Sequence, residues 1–148
     1  MRNNIIIDNI SINNNIVEYR FHVSKELKKY FTSDVLFIEY MEDMTNVPES
    51  ILSISFVGTF IAFAWITNSV LWVKELDKTF YDSIPKIKQA YQDIYYYFPL
   101  KGRIVPSIIS KNDIESENDN NKAVLLFSGG ADAHASFIRN IKKKTDSF

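Results

Sequence analysis

Val17, Tyr19, Phe21 and Val23 alternate with Glu18, Arg20 and His22. This period of two predicts a strand with one buried and one wet face. A shorter apolar run, Ile5 to Ile7, predicts a strand before it, and Asn13, Asn14 and Asn15 lie between the two. Asparagine tolerates the left-handed backbone of tight turns, so the two strands form an opening β-hairpin. Val35 to Tyr40 is more uniformly apolar and predicts an interior strand.

Pro48 then opens a helix, with Glu49 in the first turn where its charge suits the helix dipole. The helix runs to about Ile66, before a break at Asn68 and Ser69 and a β-branched and aromatic strand from Val70 to Val73. No charge occurs from Ser50 to Val73, a length that would span a bilayer. Ser53, Ser55, Gly58, Thr59, Thr67, Asn68 and Ser69 interrupt it, and no basic cluster flanks it. A buried helix followed by a strand is therefore expected, and no membrane span.

Ile84, Ile87, Tyr91, Ile94 and Phe98 recur at spacings of three and four, with Lys86, Lys88, Gln89, Gln92 and Asp93 on the other face. Ser83 serves as the expected cap, Pro85 falls in the first turn, and Pro99 and Gly102 stop the helix. Ile104 to Ile109 predicts a last strand, at a sheet edge because Pro106 lacks an N–H. These elements predict an α+β domain over residues 1–110, with a mainly antiparallel sheet of four or five strands against two main helices.

The composition changes at Ser110. Residues 111–122 are dominated by Asn, Asp and Glu, with Ile114 the one large apolar residue, and read as a solvated linker. After it, Ala123 to Phe127 is a short all-apolar run, then come Ser128, Gly129, Gly130, Ala131 and Asp132, and then a helical pattern through Ala135, Phe137, Ile138 and Ile141. Strand, glycine turn and helix together hold phosphate. Glycines let the backbone approach the anion, N–H groups converge on it, and the positive end of the helix dipole faces its charge.

The run LLFSGGADA resembles the SGGxD[ST] signature of the PP-loop ATP pyrophosphatases. That superfamily includes asparagine and GMP synthetases, argininosuccinate synthetase, tRNA thiolation enzymes and the deazaguanine (queuosine precursor) synthases, whose FSGG-x-D spelling is nearest. The resemblance implies that Ser128, Gly129, Gly130 and Asp132 line a pyrophosphate cradle. It also implies that the full-length parent uses ATP and Mg2+ to adenylate a substrate with release of pyrophosphate. Ala133 stands where the signature has Ser or Thr, which removes one hydroxyl from the cradle. The resemblance is confined to residues 123–148, an incomplete PP-loop element truncated soon after the motif. The expectation is a chain without turnover that binds ATP or pyrophosphate weakly or not at all, and no catalytic residue is assigned.

Composition narrows the remaining classes. With 17 basic and 18 acidic residues, no broad nucleic-acid surface is expected. The absence of cysteine excludes disulfides, thiolate metal sites and a thiol nucleophile. The N-terminus lacks a signal-peptide layout, so a cytoplasmic location is expected. Two histidines are too few for a histidine-rich zinc site; His22 is expected on the wet face of its strand and His134 in solvent.

Other polar clusters read most simply as surface. Arg139, Lys142, Lys143 and Lys144 suit a helix C-terminus, and Lys101 and Arg103 suit a basic turn around Gly102. Glu39, Glu42, Asp43 and Glu49 have no fixed metal-binding geometry. Trp65 and Trp72 fit a core, whereas Tyr95, Tyr96 and Tyr97 cannot all face inward and leave aromatic surface for a homo-oligomer contact. Two functional readings result. One is the N-terminal domain and first PP-loop element of an ATP-dependent adenylating enzyme. The alternative is a non-catalytic interaction module with a structural glycine turn.

Overall fold

The computed structural model describes residues 3–112, within the first of two compact units, Met1–Asp113 and Ile114–Phe148. The expected linker (111–122), apart from its first two residues, and the strand and helix expected for a PP-loop element over 123–148 lie outside the described residues.

Alternation of apolar and polar positions builds the hairpin. Strand β1 (Asn4–Asn13) pairs antiparallel with β2 (Ile16–Val23), and Asn14 makes the turn with a φ of 53°. Val17, Tyr19 and Phe21 are buried as the period of two requires. β1 is longer than the apolar run alone suggests because a bulge between Ile7 and Asn9 carries the pairing past Asp8. Asp8 then meets His22 of β2 at 2.7 Å, on the wet face expected for that histidine. A 3-10 helix (Lys25–Tyr30) follows, which buries Leu27 alone among otherwise solvent-facing residues.

Strand β3 (Val35–Glu39) pairs antiparallel with β2 and lies at the sheet edge. The interior position expected for it is not observed. Leu36 and Ile38 pack on the core, while Phe37 between them is 69% exposed, so the uniformly apolar run serves only one buried face. Helix α1 (Glu49–Ile66) leads to β4 (Val70–Asp77), and helix α2 (Lys78–Ile94) leads to β5 (Arg103–Ser110). The sheet order is β3-β2-β1-β4-β5, with β4 parallel to both β1 and β5. The α+β class is as expected, with most of the paired register antiparallel. Pro106 sits on the edge strand β5, where its missing N–H is tolerated.

Helix α1 supplies the centre of the core. By length and composition it is apolar enough to cross a membrane. Within this unit it buries Leu52, Phe56, Val57, Ile61, Ala64 and Trp65. Phe56 contacts Tyr19, Phe21 and Phe60 at centroid distances of 5.6, 5.4 and 4.8 Å, and Phe31 joins through Phe60 and Phe63. Tilted and edge-on rings account for much of the interior of a chain this rich in aromatics. The buried Tyr19 hydroxyl donates to the Leu52 carbonyl at 2.9 Å. Burial, reinforced by neighbouring Tyr40, pushes its pKa well above the usual tyrosine value and keeps it a donor.

Helix α2 differs from expectation at both ends. Its cap is Asp77, whose carboxylate accepts from the Phe80 amide at 2.8 Å. Ser83 instead donates to the Phe80 carbonyl, and Pro85 lies inside the helix. Asp77 wins because it ends β4 with extended backbone, the conformation an N-cap needs. The helix stops at Ile94, so Ile94 and Phe98 do not extend the core stripe formed by Ile84, Ile87 and Tyr91. Ile94 to Phe98 are all exposed, Tyr96 to 85%, in line with the aromatic surface expected there.

Candidate functional site

Two chain segments meet at the end of α1. Thr67 caps the helix, Asn68 takes a φ of 53°, and Ser69 returns the chain into β4. The segment after α2 crosses that helix end: the amides of Lys101 and Gly102 both donate to the Trp65 carbonyl, at 3.1 and 3.2 Å. Arg103 then donates to the Ser69 carbonyl at 3.1 Å as β5 begins. A Cβ on Gly102 would lie 1.9 Å from the Ala64 carbonyl oxygen and 2.7 Å from that of Ser69. Glycine is required here by close approach of backbones, in addition to ending the helical pattern. Since all three amides are used within the fold, Lys101 and Arg103 do not frame a backbone anion nest, and a basic turn is what the structure contains.

This crossing opens a cleft of about 540 Å³ against α2. Ile84, Pro85 and Ile104 supply apolar wall, and Trp65 lines the base, itself 1% exposed. Lys88 enters from α2 with Nζ 5.7 Å from the centre of the Trp65 ring, and donates to the Gly102 carbonyl at 3.2 Å. Burial lowers the pKa of this ammonium. Arg103 lies on the lining too. Among the described residues neither cation has a carboxylate within ion-pair distance; Asp82, also on the lining, is held by Lys78 at 2.6 Å.

Lys88 was expected on the polar face of its helix and is instead half-buried over Trp65. The signal for this was its spacing. Lys88 follows Ile84 by four and precedes Tyr91 by three, which places it on the core-facing stripe. Its aliphatic stem can cover the indole while the ammonium reaches the carbonyl at the rim.

A second polar cluster joins the ends of β4 and β5. Asn112 Nδ2 donates to Asp77 Oδ2 at 3.0 Å and to Ser50 Oγ at 2.9 Å, and Ser110 donates to Glu75. Asn112 thus links the helix cap of α2 to the first turn of α1, although its surrounding composition suggested a solvated linker. Burial would raise the Asp77 pKa, but hydrogen bonds from Asn112 and from the Phe80 and Thr79 amides outweigh it and hold the carboxyl below the ordinary aspartate value.

A depressed carboxylate pKa contributes stability that is present above the unfolded value of about 3.9 and lost as pH falls through the folded one. Replacing Asp77 by alanine is expected to cost about 1–2 kcal/mol at neutral pH by removing the cap. It is also expected to flatten the acid limb of stability below about pH 4, read by urea unfolding from pH 7 to 2.5. An unchanged acid limb would dissociate Asp77 from acid sensitivity.

Among the described residues the other sequence candidates do not converge. Ser128, Gly129, Gly130 and Asp132, with His134 and the basic residues from Arg139 to Lys144, lie outside the described residues. Asp43 accepts from the amide and hydroxyl of Thr45, which hold its carboxyl below the usual range. Glu49 pairs with Lys74 at 2.8 Å, and Glu39 accepts from Asn15. Among the described residues no group of three His, Cys, Asp or Glu could hold a metal ion. No family model matches the chain, and no match is found among curated proteins or solved structures.

Proposed function

We propose that this chain carries the N-terminal domain and the first PP-loop element of an ATP-dependent adenylating enzyme of the ATP-pyrophosphatase type. One observation carries the reading: an all-apolar run, Ala123 to Phe127, leads directly into Ser128, Gly129, Gly130 and Asp132 and then into a helical pattern. Only residues without bulky side chains let several backbone N–H groups close on a phosphate, and a helix start adds its dipole. In such a reaction a substrate oxygen attacks the α-phosphorus of ATP, the bond from that phosphorus to the bridging oxygen breaks, and pyrophosphate leaves with the bonding pair. The cradle stabilises the charge that gathers on that leaving group. Magnesium, which family members use with the nucleotide, has no ligand set among the described residues. The α+β domain then serves to position substrate or to mediate assembly.

Calorimetric titration with ATP and magnesium, and separately with pyrophosphate, tests this. Any binding is expected to be weak, saturating only in the millimolar range, and a Gly130→Asp variant should abolish it by placing a side chain and a negative charge in the cradle. Binding of equal strength in that variant would remove the motif from any nucleotide role.

A further inference from the structure

We propose that the cleft between α2 and the turn at Gly102 binds a small organic anion, with a planar apolar body between Ile84, Pro85 and Ile104 and a carboxylate or phosphate head on Lys88 and Arg103. This site lies in the α+β domain and does not depend on the PP-loop reading.

The dimensions fit such a ligand. A volume of about 540 Å³ falls within the usual range of small-molecule sites, roughly 300–1,000 Å³, and exceeds what a bare phosphate would fill. Trp65, Ile84, Pro85 and Ile104 give the cleft apolar wall, and Tyr81, Asp82, Lys88 and Arg103 line it as well, the mixture found in sites that orient a ligand by one polar end. Lys88 presents three N–H donors, of which the Gly102 carbonyl takes one, so donors remain for an oxyanion. Arg103 is on the same lining, and a guanidinium offers a planar fork suited to carboxylate or phosphate. Asp82, the acidic residue on the lining, is engaged by Lys78 and so opposes an incoming anion less than a free carboxylate would.

Charge and order point the same way. Lys88 is a partly desolvated cation with no carboxylate within ion-pair distance among the described residues, and burial lowers its pKa. An anion bound beside it would favour the charged ammonium and offset that desolvation. The site is also set in advance. Trp65 is locked in the core beneath Lys88, and Gly102 is fixed by its own amide on the Trp65 carbonyl. The floor and rim therefore need no rearrangement on binding, and the ordering cost falls on the Arg103 side chain.

Four probes separate head from body: 1-naphthyl phosphate, 1-naphthoate, the neutral 1-naphthol, and inorganic phosphate, each titrated into the full chain by calorimetry. At least one naphthyl anion is expected to saturate with a Kd below about 1 mM, and the tighter of the two identifies the preferred head. Naphthol and inorganic phosphate should each bind at least about tenfold more weakly, because each lacks half of the recognition. Lys88→Gln should weaken the better anion about tenfold, Lys88→Arg should recover most of that loss, and Lys101→Gln, outside the cleft, should change nothing. Should Lys88→Gln fail to fold, Arg103→Gln provides the test, since its side chain is exposed and its backbone bond is kept. Failure of both naphthyl anions to saturate would overturn the proposal. So would unchanged affinity in folded Lys88→Gln or, where that variant does not fold, in Arg103→Gln.

Discussion

Replacing Gly102 by alanine is expected to destabilise the α+β domain by about 3 kcal/mol or more, at the top of the range for overpacking. The added methyl would sit 1.9 Å from the Ala64 carbonyl oxygen, 2.5 Å from its carbon and 2.7 Å from the Ser69 carbonyl oxygen. All three are backbone atoms, so no rotamer change relieves the clash; the turn must lift from the end of α1. Lifting it breaks the bonds from Lys101 and Gly102 to Trp65 and from Arg103 to Ser69, which set the start of β5. It also removes the carbonyl that holds Lys88. Urea unfolding followed by tryptophan fluorescence reads the effect, because Trp65 lies beneath the turn. A loss below about 1 kcal/mol would show that the crossing relaxes freely and that close approach does not fix this glycine.

The second large effect belongs to Phe56. Its side chain is fully buried in mid-α1 and packs with Tyr19, Phe21 and Phe60. Truncation to alanine removes the ring, leaves a cavity bounded by other rings and is expected to cost about 3–5 kcal/mol. Leucine refills part of that volume and should cost distinctly less. The contrast between the two variants matters more than either value. Equal costs would mean that ring geometry, rather than filled volume, dominates this core. The pair is measured by the same denaturant titration, with the slope checked to confirm a single transition.

The legibility of this fold followed the strength of its periodic signals. β2 was readable because Val17, Tyr19 and Phe21 alternate with charged or polar residues, and its structure keeps that alternation. The turn at Asn14 and the edge position of Pro106 were readable because each rests on a local backbone constraint. β3 was misplaced because an apolar run does not say whether both faces are buried, and Phe37 faces out. The start of α2 was misread because Ser83 and Pro85 imitate a helix beginning, whereas the true cap, Asp77, closes a strand that looked four residues shorter.

The cleft was the least legible part. Its residues come from α1, α2 and the turn into β5, and no local motif links Trp65, Lys88 and Arg103. The periodicity of α2 nevertheless contained one usable clue, a lysine at a core-stripe position. Asn112 was hidden for the opposite reason: its neighbours in sequence are those of a solvated segment, while its own amide reaches Asp77 and Ser50. Composition averages over a window and cannot report one anchored residue at its edge. The SGGAD run is the converse case, plain in its spelling and lying outside the described residues.

Isotope labelling of glycine alone, followed by amide NMR during titration with magnesium and pyrophosphate, tests the central claim most directly. The chain has four glycines: Gly58, Gly102, Gly129 and Gly130. If the cradle is formed, the Gly129 and Gly130 resonances shift together and saturate, Gly58 stays in place, and Gly130→Asp removes the Gly129 response. If neither Gly129 nor Gly130 moves at millimolar pyrophosphate, the loop does not cradle phosphate in this chain, which contradicts a formed cradle and favours the structural glycine turn of a non-catalytic module.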